Sequence, residues 1–593
     1  MPGSGPGTDS LPSRVAALVH THFDGLPKRS KPVLRDDGTA EWIPMTGIVL
    51  VKGANTPEEQ LTCVAVTTGA KCLPTSQIPS CNGLVLHDCH AEILAMRAFN
   101  YWLLSECRAI LVSEQQRPSN SKDGKGELGP PSPYIRRRLC QTQEITGQES
   151  DALFPPFEIS PDVDIYMYCT CAPCGDASME LVMAAQDDPT PWALPNTTST
   201  STAERSNTTL LSGRGHFSQL GIVRRKPARA DAESTKSKSC SDKIALRQVT
   251  SLLSYESSLL VAVTANAYIK GLVMPEEEIS KSGCERCFGG GENGRMRGLN
   301  EKVWPVDAYI DADMIHGSCE QVGRNRDRDS DSRRFRRYSY AFRPFEILSI
   351  PNTQLRSLWA FRKPRATDSV HGGEAQDTSR PQVKKAKPGT ISAVWVRAPT
   401  PTPAPNPTTN NQDSGLESAT PVPDNGTKTF PVLRGSRTGL FESIINGVRQ
   451  GYKASGPGPG IRGASALCRA RMWEHWRGIA SNIFQRTGDD GTVAEDVNQD
   501  GDVEIHSYSI RKELPIALRA STYREFKEPN PGGLRAVILA RREAMGAAKD
   551  VLGGWVPNDG DEGWGWRWDL GKLVDARGDL VEMDPKGSKK RKR

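Results

Sequence analysis

Twice in this chain a short apolar strand runs through a loop into an amphipathic helix, with a metal-ligand residue type where the helix begins. The first unit is Leu86-His87-Asp88-Cys89-His90-Ala91-Glu92, followed by Ala95, Phe99, Trp102 and Leu103. Their spacing of i, i+4, i+7 and i+8 is the stripe of one helix face. It predicts a helix to about Cys107, with His90 and Glu92 in its first turn. The second unit is Asp164–Tyr168, a buried-strand candidate. It enters Cys169-Thr170-Cys171-Ala172-Pro173-Cys174-Gly175-Asp176, after which Ala177, Leu181, Ala184 and Ala185 repeat the stripe. A repeated strand–loop–helix predicts helices packed on a sheet, an α/β fold. Ser239-Cys240-Ser241-Asp242-Lys243 opens a third helix, striped by Ala245, Val249, Leu252 and Leu253.

A His-x-Glu at a helix start sets an imidazole that can bind a metal beside a carboxylate that can move a water proton. Alone, the triplet is more often a helix-start histidine and a surface glutamate. Catalytic zinc takes three protein ligands and keeps one position open. His90, Cys174 and Cys240 meet that need, and a helix N-terminus favours the thiolate. Glu92 would then carry the proton. A competing arrangement joins Cys171-x-x-Cys174 to Cys284-x-x-Cys287 in a closed structural site, which leaves Glu92 without a role. Cys72 and Cys89 read as small core residues. Met1-Pro-Gly-Ser-Gly-Pro-Gly lacks the apolar stretch of a secretory signal, and the longest apolar run, near Leu259–Val263, is too short for a bilayer. The expectation is a soluble intracellular chain with no membrane partner, whose 14 cysteines serve metal binding or burial rather than disulfides.

With 54 Gly, 43 Pro and only 37% hydrophobic residues, much of the 593-residue length is not core. Residues 1–12 read as disordered and 13–557 as one domain. Insertions are expected at 113–150, 193–215, 319–335 and 364–430, the last with a short strand at Ser392–Val396. Residues 558–593 read as a basic tail. Patterning adds a helix over Val15–Phe23 and strands over Trp42–Val51, Leu61–Thr67 and Val85–Leu86. Further helices are expected over Phe441–Val448, Ala466–Ile479 and Ala536–Leu552. A net charge of +6, from 76 basic and 70 acidic residues, is not by itself a nucleic-acid signature; local clusters are. One is Arg224-Arg225-Lys226-Pro227-Ala228-Arg229. Another is Lys589-Lys590-Arg591-Lys592-Arg593, a candidate nuclear-localisation signal or RNA hook.

His90-Ala91-Glu92, Pro173-Cys174-Gly175-Asp176-Ala177-Ser178 and Ser239-Cys240-Ser241-Asp242-Lys243, in this order, resemble the editase-type RNA adenosine deaminase family. Thr67–Lys71, Ile445-Asn446-Gly447 and Leu552-Gly553-Gly554-Trp555 extend the likeness over roughly residues 40–557. Position 177 is Ala, where short bacterial-type deaminases carry a second Cys, so the last ligand falls to Cys240. The resemblance implies a cytidine-deaminase-like α/β domain: a mixed sheet with ligand-bearing helices, a C-terminal elaboration and disordered insertions. It implies Zn2+ on His90, Cys174 and Cys240, and Glu92 as the catalytic proton carrier. The reaction is then hydrolytic conversion of adenosine to inosine on a flipped base, the general chemistry of zinc deaminases. Two departures, Ala70 for Thr and Ala228 for Gly, bear on substrate contacts rather than chemistry.

Within the family the chain looks like the tRNA-acting branch, fungal-like with long insertions. No double-stranded-RNA-binding module is recognisable before the deaminase motifs, and the basic loop precedes the third motif. That branch implies tRNA-Ala as substrate, at the nucleotide 3′ of the anticodon, with no obligate protein partner evident. Lys71, Arg224, Arg225, Lys226 and Arg229 are the expected RNA contacts. The alternatives are a double-stranded-RNA deaminase and a catalytically inactive tRNA-binding relative. Nucleus and cytoplasm are both open as locations. Some family members bury inositol hexakisphosphate, which needs many basic partners because unpaired buried charge is costly. Its motif positions here are Arg97, Lys243, Tyr523, Lys527, Lys549 and Trp555, with Arg247 one place beyond the family's Arg, where this chain has Leu246.

Overall fold

The computed structural model describes residues 10–33, 39–115, 132–139, 152–185, 190, 211–212, 219–226, 233–306, 338–363, 385–400, 435–436, 438–454, 459–488, 517–528, 533–567 and 570–582. The strands that position the site are β1 (Met45–Lys52), β2 (Gln60–Thr68), β3 (Ala70–Cys72), β4 (Asp88–His90), β5 (Val163–Cys169), β6 (Ile269–Pro275), β7 (Glu346–Ile350), β8 (Ser392–Arg397), β9 (Gly439–Ile445) and β10 (Val448–Arg449). The helices are α1 (Leu11–Asp24), α2 (Ala91–Gln115), α3 (Met179–Ala184), α4 (Cys240–Thr250), α5 (Lys281–Phe288), α6 (Arg469–Gly488) and α7 (Gly533–Leu552).

One mixed sheet runs β7-β6-β5-β1-β2-β8-β9, edged by Gly435–Ser436, with β10 paired to β9. β5, β6 and β7 are parallel; the pairs from β5 to β9 are antiparallel. Side chains alternate between two cores, as a strand period of two requires. Ile48, Leu50, Ile165, Met167, Leu272, Met274, Val394 and Val396 point to one. Val49, Val51, Tyr166, Tyr168, Val273 and Trp395 point to the other. α2 covers the first face with Leu94, Phe99, Trp102 and Leu103, each worth roughly 1.5–3 kcal/mol when fully buried. α1 covers the second with Val15, Val19 and Phe23. Among the described residues no helix is long and apolar enough to cross a membrane.

On α1, His20 is buried, shares a 2.9 Å hydrogen bond with the Tyr168 hydroxyl and packs edge-on to Trp359. Burial lowers its pKa from 6.5 to about 4. Between those values the unfolded chain binds the extra proton, so stability rises with pH and is lost as pH falls. Acidification from pH 6.5 to 4 is expected to remove up to about 3 kcal/mol through this group. Thermal melts across that range should show a shallower decline for His20→Gln than for the wild type.

Several sequence expectations are corrected. Phe441–Val448 is not a helix: β9 and β10 form a hairpin about Asn446 and Gly447, at φ 51° and 81°. Asn-Gly flanked by Ile445 and Val448 is the strongest short hairpin signal, and the apolar spacing around it mimicked a helix. Val85–Leu86 is not a strand; β4 begins at Asp88. The helix after Cys174 is shorter than the stripe suggests, a 3-10 turn over Asp176–Ser178 and then α3. In the proposed insertion 113–150, α2 runs on to Gln115 and Ile135–Leu139 pairs with Ala152–Ile159. In 364–430, β8 is a central strand between β2 and β9. In 193–215, Leu211–Ser212 pairs with Arg224–Arg225. The folded part also runs past residue 557, because Asp561, Trp564 and Trp566 are buried. Residues 1–9, the insertion 319–335 and the Lys589–Arg593 cluster lie outside the described residues.

Candidate active site

Three separate elements bring the donor atoms together. β3 and β4 pair so that Ala70 faces His90, Lys71 faces Cys89 and Cys72 faces Asp88. His90 is thereby held at the mouth of α2. Cys240 is the first residue of α4, whose N-cap Ser239 accepts from the Asp242 N–H at 3.1 Å. Cys174 lies in the loop after β5. Gly175 has φ 115°, and a Cβ there would lie 2.2 Å from Ser239 Oγ. Only glycine lets the Cys174 loop close against the residue before Cys240. The His90 Nδ1 to Sγ distances are 3.8 Å to Cys174 and 3.6 Å to Cys240, and all three donor atoms lie within 4.8 Å of one another. Tetrahedral zinc with Zn–N near 2.0–2.1 Å and Zn–S near 2.3 Å separates such ligands by about 3.6 Å. The donor set fits that ion.

Glu92, on the first turn of α2, is buried, and among the described residues its Oε2 has no hydrogen-bond partner. Burial raises its carboxyl above the usual range, and Cys174 adds to the shift. The Cys174 thiol is held well below its ordinary value, first by the Cys240 hydrogen bond and, against burial, by Lys226 and His90. Lys226 Nζ lies 3.2 Å from Cys240 Sγ and 2.9 Å from Asp88 Oδ2. Lys243 also binds Asp88, whose other oxygen accepts from the His90 N–H at 3.0 Å. Burial alone would raise the Asp88 carboxyl, yet Lys226 and Lys243 hold it well below the usual range. Asp176 and Asp242, each two residues beyond a cysteine donor, are clamped by Arg286 at 3.2 Å and Arg295 at 2.9 Å.

The basic-loop expectation is corrected here. Lys226 and Arg224 are buried, Lys226 on Asp88 and Cys240, and Arg224 with its guanidinium on the Gln219 carbonyl. Neither is placed to touch RNA phosphate. Arg225 is half-buried, Lys71 is half-buried at a cavity beside β3, and Arg229 lies outside the described residues. The competing four-cysteine site does not assemble: Cys171, Cys284 and Cys287 belong to none of the converging donor groups among the described residues, and Cys287 Sγ accepts from Arg295. A separate buried group, Cys81, His87 and Asp561, contains a His87–Asp561 contact of 3.0 Å that ties the C-terminal segment down.

Of the residues expected around a polyanion, Arg97, Arg247, Lys527 and Tyr523 share one buried region. Burial lowers the pKa of all three cations, Arg247 to about 9, and Arg469 or Arg541 lowers each further. Tyr523 donates to Glu256 at 2.9 Å. Lys549 and Trp555 sit apart with Lys238, and Lys243 is engaged by Asp88. Asp88, Arg469 and Arg541 were missed by sequence reasoning. For Arg541 a signal existed: it falls in the apolar stripe Leu534, Val537, Ala544, Ala548 of α7, where a charge needs a partner.

A family model described as "Adenosine-deaminase (editase) domain" matches residues 65–124 and 138–299, which hold all three donors and Glu92. The chain is 29% identical to tRNA-specific adenosine deaminase 1 of Schizosaccharomyces pombe over 390 residues, 63% of this chain and 81% of that protein. It is 29% identical to tRNA-specific adenosine deaminase 1 of Saccharomyces cerevisiae over 287 residues, 48% of this chain and 63% of that one. A shorter match, 30% over 133 residues, joins 22% of this chain to 14% of the double-stranded RNA-specific editase B2 of Mus musculus. Motifs far apart in sequence thus meet in one site within the matched segments, and there this chain is similar to the adenosine-deaminase (editase) family and, over most of its length, to tRNA-specific adenosine deaminase 1 of Schizosaccharomyces pombe.

Proposed function

We propose that this protein is a zinc-dependent tRNA adenosine deaminase that converts adenosine to inosine, in tRNA-Ala at the nucleotide 3′ of the anticodon. The observation that carries the chemistry is the convergence of His90, Cys174 and Cys240 together with a buried Glu92 whose Oε2 has no hydrogen-bond partner among the described residues. A zinc ion held by these three donors supplies the Lewis acidity that makes water nucleophilic near neutral pH. Glu92 takes a proton from the attacking water as the C6–O bond forms. It delivers that proton to the ring nitrogen, then moves the proton of the new C6 hydroxyl to the exocyclic nitrogen, which leaves as ammonia as the C6–N bond breaks and the C6 carbonyl of inosine forms. Asp88, accepting from the His90 N–H, and Lys226, on Cys240 Sγ, orient the donors, and Lys226 brings positive charge to the cysteine side. We read the mixed sheet with its donor-bearing segments as cytidine-deaminase-like. The names of the fungal relatives support tRNA as substrate. A loop adenosine is already unpaired, so presenting it costs less than extracting it from a duplex.

The test is inosine formation by the purified full chain on a whole tRNA pool, with a long duplex RNA alongside. Inosine at the expected position of tRNA-Ala supports the reading. Inosine in the duplex alone favours the double-stranded-RNA alternative, and none in either favours an inactive binder. For the second ligand, the cluster of one buried cation, Arg541, and four half-buried ones, Arg97, Arg247, Arg469 and Lys527, fits inositol hexakisphosphate. Denatured protein is expected to release about one equivalent of it, the stoichiometry of a buried structural ligand. Absence of inositol phosphate in that release sinks the polyanion assignment.

A further inference from the structure

A cavity of about 180 Å3 opens beside the β3–β4 pair, large enough for several waters. Leu73 and Leu86, both buried, give it apolar wall. Lys71 and Gln77, half-buried, and Asn446, exposed, bring an ammonium and two amides to it. Its far side is the β9–β10 hairpin tip, and that wall is fixed. The Gly447 carbonyl accepts from the Leu86 N–H at 2.9 Å, and a Cβ at Gly447 would fall 2.3 Å from the Leu86 oxygen. Lys71 stands opposite Cys89, the residue before His90. By strand rise and interstrand spacing, its Cα lies roughly 5–7 Å from that of His90. The same hairpin leads to Tyr452, 40% exposed, and Lys453. Apolar walls for a ring face, amides for its edge, and cations with an exposed aromatic nearby are the chemistry of single-stranded RNA recognition.

We propose that this cavity receives the base of a nucleotide directly flanking the adenosine presented to His90, Cys174 and Cys240. The inference rests on the RNA-deaminase reading above and adds a specificity subsite to it. Leu73 and Leu86 cover the ring, Gln77 and Asn446 bond its edge, and Lys71 meets the phosphate between the two nucleotides.

The experiment uses the full chain with an unmodified tRNA-Ala anticodon stem-loop, and with versions abasic at the 5′ or the 3′ neighbour of the edited adenosine. One abasic site is expected to lower kcat/KM roughly tenfold, the scale of one base contact. Gln77→Trp, which fills the cavity mouth, is expected to lower activity on the intact loop by a similar factor and to erase the abasic effect. Equal abasic responses in wild type and Gln77→Trp, or none at either neighbour, overturn the proposal. A second measurement does not need turnover. A stem-loop carrying 4-thiouridine at the 5′ or the 3′ neighbour is expected to crosslink to the cavity wall, within residues 71–77, 86–89 or 446–447, in wild type and in Glu92→Gln alike. Crosslinks confined to other segments count against the cavity. Crosslinking to the cavity wall without inosine from any RNA would leave the subsite standing while the deaminase reading fails. Inosine with neither neighbour dependence nor this crosslink removes the subsite alone.

Discussion

Glu92→Gln is expected to lower the rate of inosine formation by roughly 10²–10⁴-fold, the usual worth of a positioned acid–base group, while zinc content and tRNA affinity stay at wild-type levels. The amide keeps the volume and removes the group that can take up and give back a proton. Glu92 is buried, and among the described residues its Oε2 has no hydrogen-bond partner. A buried carboxylate with an unpaired oxygen destabilises the native state, so a neutral amide should leave the melting temperature equal or higher. A structural glutamate predicts the reverse, a lower melting temperature with activity lost in proportion to unfolding. A wild-type rate in Glu92→Gln would rule out the proton-carrier role. Single-turnover inosine assays, metal analysis and thermal melts on one preparation separate these outcomes.

Cys240→Ser is expected to strip the proposed zinc and reduce deamination to background, whereas Cys284→Ala retains both. Cys240 supplies one of only three donors, so its loss should weaken metal affinity by more than the 10–100-fold typical of an outer partner. Lys226 is such a partner, through its 3.2 Å contact to Cys240 Sγ. Because metal binding stabilises the folded state by mass action, wild type should melt higher with zinc than after chelation, and Cys240→Ser should show little difference. Cys284 belongs to none of the converging donor groups among the described residues, so its removal costs packing and not metal. Metal retained by Cys240→Ser and lost by Cys284→Ala would reverse the assignment in favour of a structural site.

The reading of individual elements shows where local pattern sufficed. β2, β5, α1 and α2 were legible because their side chains repeat with the period of the element that buries them. β9 was misread because the apolar residues near Ile444 and Ile445 match both periods over so short a span; the Asn446-Gly447 turn settles it. β8 was only glimpsed, since its burial between β2 and β9 depends on strands far away in sequence.

The site divides in the same way. His90, Glu92, Cys174 and Cys240 could be named from sequence because metal chemistry restricts residue types and each sits in a recognisable local motif. The meeting of His90, Cys174 and Cys240 within 4.8 Å of one another is a tertiary fact. It depends on the close approach that Gly175 permits to Ser239 and on the pairing of Ala70 with His90. The role of Lys226 was decided only there. A basic loop looks the same in sequence whether its charges face water or a buried carboxylate, and here Asp88 draws Lys226 inward. The sequence by itself determined which groups can do the chemistry. The fold alone decided which charges are interior, because burial and partnership depend on segments that no local pattern connects.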